Sequence, residues 1–189
     1  MYNATMVLNV STKTGDQGQT SLANGERLAK DDITFELIGT LDELNSQLGL
    51  VRTKLKAVLS QKQELAQQEK FLQTTQKQLF VLGAVVAKAK VELSNDFLKK
   101  IEAEASKLQN LMADDWHNRF VLPGGHEVAA LLDIARAVCR RLERVVVSYV
   151  KANKNIDELL LQTINRLSDY LYVLRCFVNE EFGVVEHYV

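Results

Sequence analysis

The sequence predicts an all-α protein: a single-domain five-helix bundle with a glycine-containing N-terminal loop. Three observations predict this fold. Only one of the 189 residues is proline, well below the usual share of roughly 5 %, so long uninterrupted helices can form. Apolar residues recur at spacings of three and four along five segments, and no run alternates in the manner of a half-buried strand. The length is that of one domain rather than several.

The chain before the first helix differs in composition from the rest. We predict a loop at 1–33 and the helical bundle at 34–189. The loop is polar, and in its Thr-Lys-Thr-Gly-Asp-Gln-Gly-Gln-Thr run at 12–20 the glycines Gly15 and Gly18 let backbone amides approach a phosphate. The run is not a Walker A loop, because no Gly-Lys-Ser/Thr follows at the required spacing. A flexible N-terminal arm is the alternative.

Five amphipathic helices follow the loop. The first is predicted from Thr34, with Asp31, Asp32 or Thr34 itself as its N-cap. Its apolar stripe runs from Ile38 to Leu55. A break that contains the only proline separates the third helix from the fourth. The remaining helices are predicted at 62–90, 94–112, 126–151 and 157–181.

The fourth helix carries the clearest cluster of functional side chains. Asp133, Arg136, Arg140, Glu143 and Arg144 share one face at helical spacing, opposite the apolar stripe. Three guanidinium groups on one face repel each other unless an anion or carboxylate lies between them, and the arginine fork suits phosphate. The face predicts an anion site, with a solvated basic surface as the equally weighted alternative.

Two other helices carry polar lines. On the first, Asp42 and Asn45 lie off the apolar stripe, and Asp42 could pair with an arginine of the fourth helix. The alternative for Asp42 is an exposed acid that complements the helix dipole. On the fifth, Asn165, Asp169 and Tyr172 follow one another at helical spacing. The alternative is that these side chains are simply exposed to solvent, as polar lines on bundle helices usually are.

Composition excludes several functional classes. The 23 basic and 24 acidic residues nearly cancel, so no basic field attracts nucleic acid. No apolar run reaches 18 residues and the chain starts without a basic leader, so we expect no membrane span and a cytoplasmic protein. Cys139 and Cys176 sit in apolar runs and are expected to be reduced core thiols. The three histidines lack ligand spacing, and no Gly-x-Ser-x-Gly elbow is present.

Five sequence blocks, taken together and in order, resemble the PduO-type ATP:cob(I)alamin adenosyltransferases. They cover the chain from residue 12 to about 175. The blocks are the loop at 12–20, Gly-Thr-Leu-Asp-Glu-Leu-Asn at 39–45, Phe-Val-Leu-Pro-Gly-Gly at 120–125, the arginine helix at 135–144 and Asn-Arg-Leu-Ser-Asp-Tyr at 165–170.

The resemblance implies a five-helix bundle that assembles as a homotrimer, with ATP sites between subunits. The implied reaction moves the 5′-deoxyadenosyl group of ATP onto Co(I) of cob(I)alamin and releases triphosphate. Mg²⁺ is the implied cofactor and cobalamin the co-substrate. The implied partners are a reductase that supplies electrons and an enzyme that uses adenosylcobalamin. The nucleophile is then the cobalt, so the sequence needs no nucleophilic side chain.

The resemblance also implies roles for individual residues. Phe120, Asp42 and Asn45 are expected on the corrinoid side, with Phe120 as an apolar wedge that displaces an axial ligand of Co(II). Arg136, Phe120 and Asp42 are the expected catalytic residues, with Asp42 paired to Arg136. Core packing is the alternative for Phe120. Glu143 is expected near Mg²⁺. The implied ATP-binding residues are Thr12, Lys13, Thr14, Gly15, Asp16, Gly18, Thr20, Lys30, Arg136, Arg140, Glu143 and Asn165.

The sequence departs from the family pattern at Asp133, where the family often has histidine, and at Leu142, where it often has alanine. An acid at 133 could pair with Arg136 or Arg140. Two other functions compete with the adenosyltransferase: a helical scaffold that binds a partner through its basic face, and a triphosphatase that uses the same ATP site. The glycine-threonine block argues against the scaffold, and the turn at Phe120 argues against the triphosphatase.

Overall fold

The structure, a computed structural model, describes residues 13, 15–113, 116, 120–153 and 158–189. The described part confirms the all-α class. A one-turn 3₁₀ helix at Gln63–Leu65 precedes the second α-helix, and two short strands precede the first. The α-helices are α1 (Ile33–Val58), α2 (Ala66–Val86), α3 (Asn95–Gln109), α4 (Glu127–Ala152) and α5 (Glu158–Glu181).

The starts of three helices have side-chain caps. Asp32 Oδ1 accepts a hydrogen bond from Thr34 N at 2.8 Å, so Asp32 is the cap of α1 among the predicted candidates. Ser94 caps α3 in the same way, and His126 Nδ1 accepts from the backbone at the start of α4. These caps satisfy amide groups that a helix leaves without internal partners.

The predicted extension of α2 to residue 90 is wrong. Lys88 adopts a left-handed backbone with φ of 59°, and the amide of Ala89 returns to the carbonyl of Ala84 at 2.9 Å. This is the hydrogen-bond pattern that closes a helix. Lys88 also forms a 2.6 Å ion pair with Glu26 of the N-terminal segment, so the helix ends where that segment docks.

The N-terminal segment contains a small hairpin that the sequence did not predict. β1 (Gln19–Ser21) pairs antiparallel with β2 (Arg27–Ala29). The hairpin is fixed to the bundle by the buried side chain of Leu22 and by a 2.9 Å hydrogen bond from Ala23 N to the carbonyl of Ala87. Three-residue strands are too short for side-chain alternation to reveal them in a sequence.

The helices enclose one core. α4 packs against both α1 and α5, α2 packs on α1, and α3 packs on α5. The ring of Phe71 on α2 contacts Tyr170 of α5 and Phe97 of α3, which closes the bundle on its far side. Cys139 and Cys176 are buried and form no disulfide. No described helix has an apolar stretch long enough to span a bilayer.

The direction of α1 against α4 determines where the ends of the bundle lie. Arg141 of α4 pairs with Glu43 of α1, and Lys54 of α1 pairs with Glu127 of α4 at 2.7 Å. The two helices are therefore antiparallel. The start of α1, with the hairpin, lies at the end of α4, and the segment that precedes α4 lies at the opposite end of the bundle.

A buried ion pair joins α1 to α2. Arg52 donates to Glu69 at 2.6 Å and to Gln76 at 2.7 Å. Burial alone raises the pKa of Glu69, but the hydrogen bonds and charge of Arg52, with that of Lys56, outweigh it and leave the pKa below its ordinary value. Arg52 thus has a structural role on the polar line of α1.

Candidate functional site

The glycine loop next to the hairpin is compact in its described part. The amide of Gly18 donates to the carbonyl of Gly15 at 3.2 Å, and the amide of Lys30 donates to the carbonyl of Gly18 at 2.8 Å. A Cβ on Gly15 would lie 3.1 Å from Lys30 Nζ, so the ammonium group of Lys30 lies over the loop. Lys13 is exposed with φ of 56°, an uncommon backbone for a non-glycine residue.

The structure therefore brings together four of the predicted phosphate-binding residues, which are Lys30, Gly15, Gly18 and Asp16. The amide nitrogen of Asp16 lies 3.5 Å from the carbonyl oxygen of Lys13. Thr20 lies within β1 and pairs in register with Leu28. Thr12 and Thr14 lie outside the described residues.

The second group of predicted residues lies between α4 and α5. Glu143 Oε1 accepts a hydrogen bond from Asn165 Nδ2 at 2.8 Å. Arg166 donates to Asn165 at 3.0 Å and to Asp169 at 2.9 Å, which fixes the amide of Asn165. Arg140 is exposed on the same face as Glu143. The face presents a cation beside a fixed carboxylate and amide, as a nucleotide phosphate and its metal require.

Arg136 lies one turn before Arg140 and faces α5. Its guanidinium carbon lies 5.7 Å from the centre of the Tyr172 ring, within the range of a cation–π contact. Its Nε is buried and has no hydrogen-bond partner in the described structure. A buried donor without a partner carries a free-energy cost, and a ligand or a second chain can remove it.

Asp42 and Asn45 lie on a different surface. They line a groove of about 390 Å³ between α1 and α2, together with Gly39, Phe80 and Gly83. Asn45 donates to the carbonyl of Gln76 at 3.4 Å, but its Oδ1 is buried without a partner. Phe80 exposes two thirds of its side chain at the edge of this groove. The groove combines an apolar wall with an acid and an unsatisfied amide.

No described hydrogen bond or ion pair joins Asp42 to Arg136, so the expected pair is absent within one chain. The acid of α1 that does meet α4 is Glu43, which pairs with Arg141. Asp42 faces α2 and Arg136 faces α5, so the two side chains diverge from the α1–α4 contact.

Phe120 is the most exposed large apolar side chain of the predicted site. It is 87 % exposed, which excludes the core-packing alternative. Its carbonyl accepts from the amide of Val189 at 2.9 Å, and the amide of Leu122 donates to the carbonyl of His187 at 2.8 Å. The turn therefore pairs with the C-terminal segment, where Val121 and Tyr188 form a β-bridge.

Asp133 does not join the arginine face, and its expected pairing with Arg136 or Arg140 is wrong. It is 8 % exposed, and Oδ2 accepts from Gly124 N at 3.0 Å and from Arg175 Nε at 3.2 Å. Side chains three residues apart lie about 60° apart around a helix, so Asp133 sits at the edge of the face with Arg136, and there it pairs with the buried guanidinium of Arg175.

Sequence reasoning missed three residues around this turn. Arg175 and Asn179 of α5 are fully buried and both donate to the carbonyl of Gly124, while Glu186 accepts from both of them. The signal was the charge of Arg175 inside the apolar stripe of α5, because a buried arginine needs partners.

The predicted site is divided within one chain. The glycine loop lies beside the start of α1, at the end of the bundle where α4 finishes. The 16 steps from Arg136 to Ala152 span about 24 Å at a rise of ~1.5 Å each. Phe120 lies beyond the start of α4, farther still from the loop, and the groove at Asp42 opens between α1 and α2. One chain does not bring the predicted groups within its described residues to one place.

Comparison with known proteins identifies the family. The sequence profile of cobalamin adenosyltransferases matches residues 10–178, which include all five motifs. The chain is 38 % identical over 185 residues to a corrinoid adenosyltransferase from Bacillus subtilis, with 94 % of this chain and 90 % of the relative covered. It is 35 % identical over 178 residues to the corrinoid adenosyltransferase MMAB of Bos taurus, covering 89 % and 70 %.

A solved structure agrees with the sequence match. A variant PduO-type ATP:corrinoid adenosyltransferase from Lactobacillus reuteri, complexed with cobalamin and ATP, superposes with a TM-score of 0.81 at 26 % identity. The match covers 95 % of this chain and 98 % of the other. The family expected from the sequence motifs is confirmed, and the chain belongs to the cobalamin adenosyltransferase family.

Proposed function

We propose that this chain is a corrinoid adenosyltransferase that transfers the 5′-deoxyadenosyl group of ATP to Co(I) of cob(I)alamin. A cobalt–carbon bond forms at C5′, the C5′–oxygen bond breaks, and triphosphate leaves with the electron pair. One observation carries the proposal beyond ATP binding. Phe120 is 87 % exposed on a turn that buried side chains hold in place. ATP hydrolysis has no use for such a side chain, which an apolar face of a corrinoid would cover.

The triphosphate is the group that the arginines and the glycine loop would bind. Arg136 and Arg140 supply guanidinium forks that can contact phosphate oxygens in pairs. The loop with Lys13, Gly15, Gly18 and Lys30 supplies backbone amides and ammonium groups, and Thr12, Thr14, Asp16 and Thr20 belong to the same proposed set. Positive charge fixed at the leaving group lowers the barrier, since charge builds up there in the transition state.

Mg²⁺ would be held together with the nucleotide. Its usual protein ligands are one or two carboxylates, with phosphate and water completing the octahedron. Glu143 fits this pattern, because Asn165 engages only Oε1 among the described contacts. The described residues contain no group of three or more His, Cys, Asp or Glu side chains that could hold a metal on their own. The ion would neutralise triphosphate charge, with Glu143 orienting it.

We further propose a homotrimer with the sites between subunits. Arg136 and Asp42 point away from each other within a chain, and the glycine loop lies on the order of 20 Å along the bundle from Arg136. A second copy would bring the α1 surface of one chain to the α4 surface of the next. Repetition of the same contact around a threefold axis closes the assembly. Asp42 of one subunit would then meet Arg136 of its neighbour.

The reaction implies two further partners. Co(II) must gain one electron before it attacks carbon, so a reductase has to deliver it, and an adenosylcobalamin-dependent enzyme has to take up the product. Phe120 would assist the reduction, since displacing an axial ligand of Co(II) makes the metal easier to reduce. The two unpaired buried thiols agree with a reducing compartment, and we propose the cytoplasm.

The test of the reaction is a spectral assay with ATP, Mg²⁺ and chemically reduced cobalamin. We expect the absorbance spectrum of adenosylcobalamin to develop and triphosphate to be released. ATP binding without any spectral change would refute the proposal. Phe120→Ala should retain ATP affinity and activity with pre-reduced corrinoid, and should lose activity when Co(II) is reduced on the enzyme. Equal losses in both assays would refute the wedge role.

Sites between subunits can be tested by mixing two inactive variants. Asp42→Ala and Arg136→Ala damage opposite sides of the proposed interface. In trimers assembled at random from equal amounts, about a quarter of interfaces combine an intact Asp42 with an intact Arg136. Activity should return to roughly that fraction of wild type after joint refolding. No recovery would refute a shared site if light scattering shows trimers of about 64 kDa (chain mass 21.3 kDa) and native mass spectrometry shows that they contain both variants.

A further inference from the structure

A buried charged cluster holds the turn that carries Phe120. Its centre is Arg175, whose side chain is 0 % exposed. Arg175 donates from Nη2 to the carbonyls of Leu122 at 3.0 Å and Gly124 at 3.4 Å. It also pairs with Asp133 of α4 and with Glu186 of the C-terminal segment. One guanidinium group thus contacts the turn, a helix and the chain terminus.

Neighbouring groups complete this cluster. Asn179 donates to the carbonyl of Gly124 at 3.1 Å and to Glu186 at 2.8 Å, and accepts from the amide of His126 at 2.9 Å. Asp133 accepts from the amide of Gly124 at 3.0 Å. Both polar groups of the Gly124 backbone are therefore bound by buried side chains. The turn cannot shift without breaking hydrogen bonds to charged groups, which are stronger than those between neutral groups.

The C-terminal segment forms the other support of the turn. It pairs with residues 120–122 through two backbone hydrogen bonds, and Glu186 anchors it to Arg175. Between this segment and the turn lies a cavity of about 340 Å³ whose wall includes Trp116, Val121 and Tyr188. Trp116 is the single tryptophan of the chain, so its emission reports on this region.

We infer that Arg175 and Glu186 are positioning residues that fix Phe120 for reduction of the corrinoid on the enzyme. No described hydrogen bond or ion pair joins either side chain to Phe120. They act through the carbonyls of the turn and through the C-terminal segment that pairs with it. Asp133 takes part as the second carboxylate on Arg175, which gives this acid a role away from the arginine face. The inference rests on the proposed function of Phe120.

Glu186→Gln and Glu181→Gln are a matched pair of test variants. Glu186 pairs with Arg175, whereas Glu181 pairs with Lys62 at 3.4 Å, away from the turn. Both substitutions keep size and remove one charge. Arg175→Lys is the third variant, because lysine keeps the charge but cannot reach two carboxylates and two carbonyls together. Each variant is assayed at saturating ATP and cobalamin, once with pre-reduced cobalamin and once with Co(II) reduced in the assay by a reduced flavin.

We expect Glu186→Gln and Arg175→Lys to lower the rate measured with flavin about 10-fold more than the rate measured with pre-reduced cobalamin. The reason is that displacing an active-site group by about 1 Å can lower a reaction rate up to about 100-fold. Glu181→Gln should leave the ratio of the two rates at the wild-type value. Trp116 emission should shift to longer wavelength in Glu186→Gln and not in Glu181→Gln. Parallel losses in both assays that follow the melting temperature would mean support of the fold alone and would overturn the inference.

Phe120→Ala separates this inference from the function on which it rests. If Phe120→Ala changes the ratio of rates and Glu186→Gln does not, the positioning role is overturned and the function stands. If Phe120→Ala leaves the ratio unchanged, the wedge role is overturned, and the positioning inference falls with it whatever the emission of Trp116 shows.

Discussion

Replacing Gly125 with alanine should destabilise the protein far more than the same change at the adjacent Gly124. Both glycines have positive φ, 99° at Gly125 and 141° at Gly124, so an alanine at either position is strained by roughly 1–3 kcal/mol. They differ in the space available. A Cβ on Gly124 would meet no atom within 4 Å, whereas a Cβ on Gly125 would lie 2.5 Å from Asn179 Nδ2.

The extra cost at Gly125 follows from what Asn179 does. The side chain is fully buried, so it must rotate away and release the amide of His126 and the carbonyl of Gly124. A buried amide without a partner costs about 1–3 kcal/mol. Gly125→Ala should therefore cost about 2–3 kcal/mol more than Gly124→Ala. For a chain of this length that is a difference of roughly 5–10 °C in melting temperature.

The assay is thermal melting of both variants at equal protein concentration, because the proposed assembly would make the melting temperature depend on concentration. A third comparison removes the clash itself. In an Asn179→Ala background, Gly125→Ala should cost no more than Gly124→Ala does in the wild type, so the double variant should be destabilised by less than the sum of the two single variants. Equal melting temperatures for the two single variants, or additive effects in the double variant, would refute the reasoning.

Three further outcomes follow from the contacts. Arg136→Lys should keep the helical circular dichroism spectrum and lower the adenosylation rate about 100-fold, because lysine lacks the fork; a near-normal rate would contradict paired phosphate contacts. The lowered pKa of Glu69 beside Arg52 adds stability that is complete above the ordinary carboxyl pKa of 4.5 and is lost as pH falls. On going from pH 7 to pH 4, the melting temperature of the wild type should therefore fall further than that of Glu69→Gln. Equal decreases would contradict a stabilising charge on Glu69. Burial raises the thiol pKa of Cys139 and Cys176; a thiol reagent at pH 8 should label both in urea and neither in the native protein, and native labelling would show that the core opens.

Periodicity and capping were enough to predict most of the fold. The apolar stripe from Ile38 to Leu55 and the cap at Asp32 follow from local rules, and the structure agrees with both. The end of α2 does not follow from local rules. Nothing in its sequence stops the helix at Val86, where the structure places the contacts of Ala87 with Ala23 and of Lys88 with Glu26, some 60 residues earlier in the chain. Such long-range partners are invisible to a periodicity argument.

The candidate site shows the same division between local and long-range information. The face with Arg140 and Glu143 could be predicted because helical spacing alone defines it. The partner of Asp133 could not, because spacing places this acid at the edge of the same face and gives no sign of the buried Arg175 with which it pairs. A charged residue within an apolar stripe indicates that a partner exists, but the sequence does not say which acid it is.

The two buried side-chain atoms that lack a hydrogen-bond partner in the described structure are Asn45 Oδ1 and Arg136 Nε. Both belong to residues that the sequence predicts for the site, although burial without a hydrogen-bond partner is a purely geometric property. One is an acceptor and the other a donor, and they lie on different surfaces of the same chain. For a subunit contact to satisfy both atoms, the Arg136 side chain would have to turn away from Tyr172 and enter the groove of Asp42 and Asn45 on a second copy, where it would also meet the charge of Asp42. The mixing of Asp42→Ala with Arg136→Ala tests that contact and is the decisive experiment for a shared site.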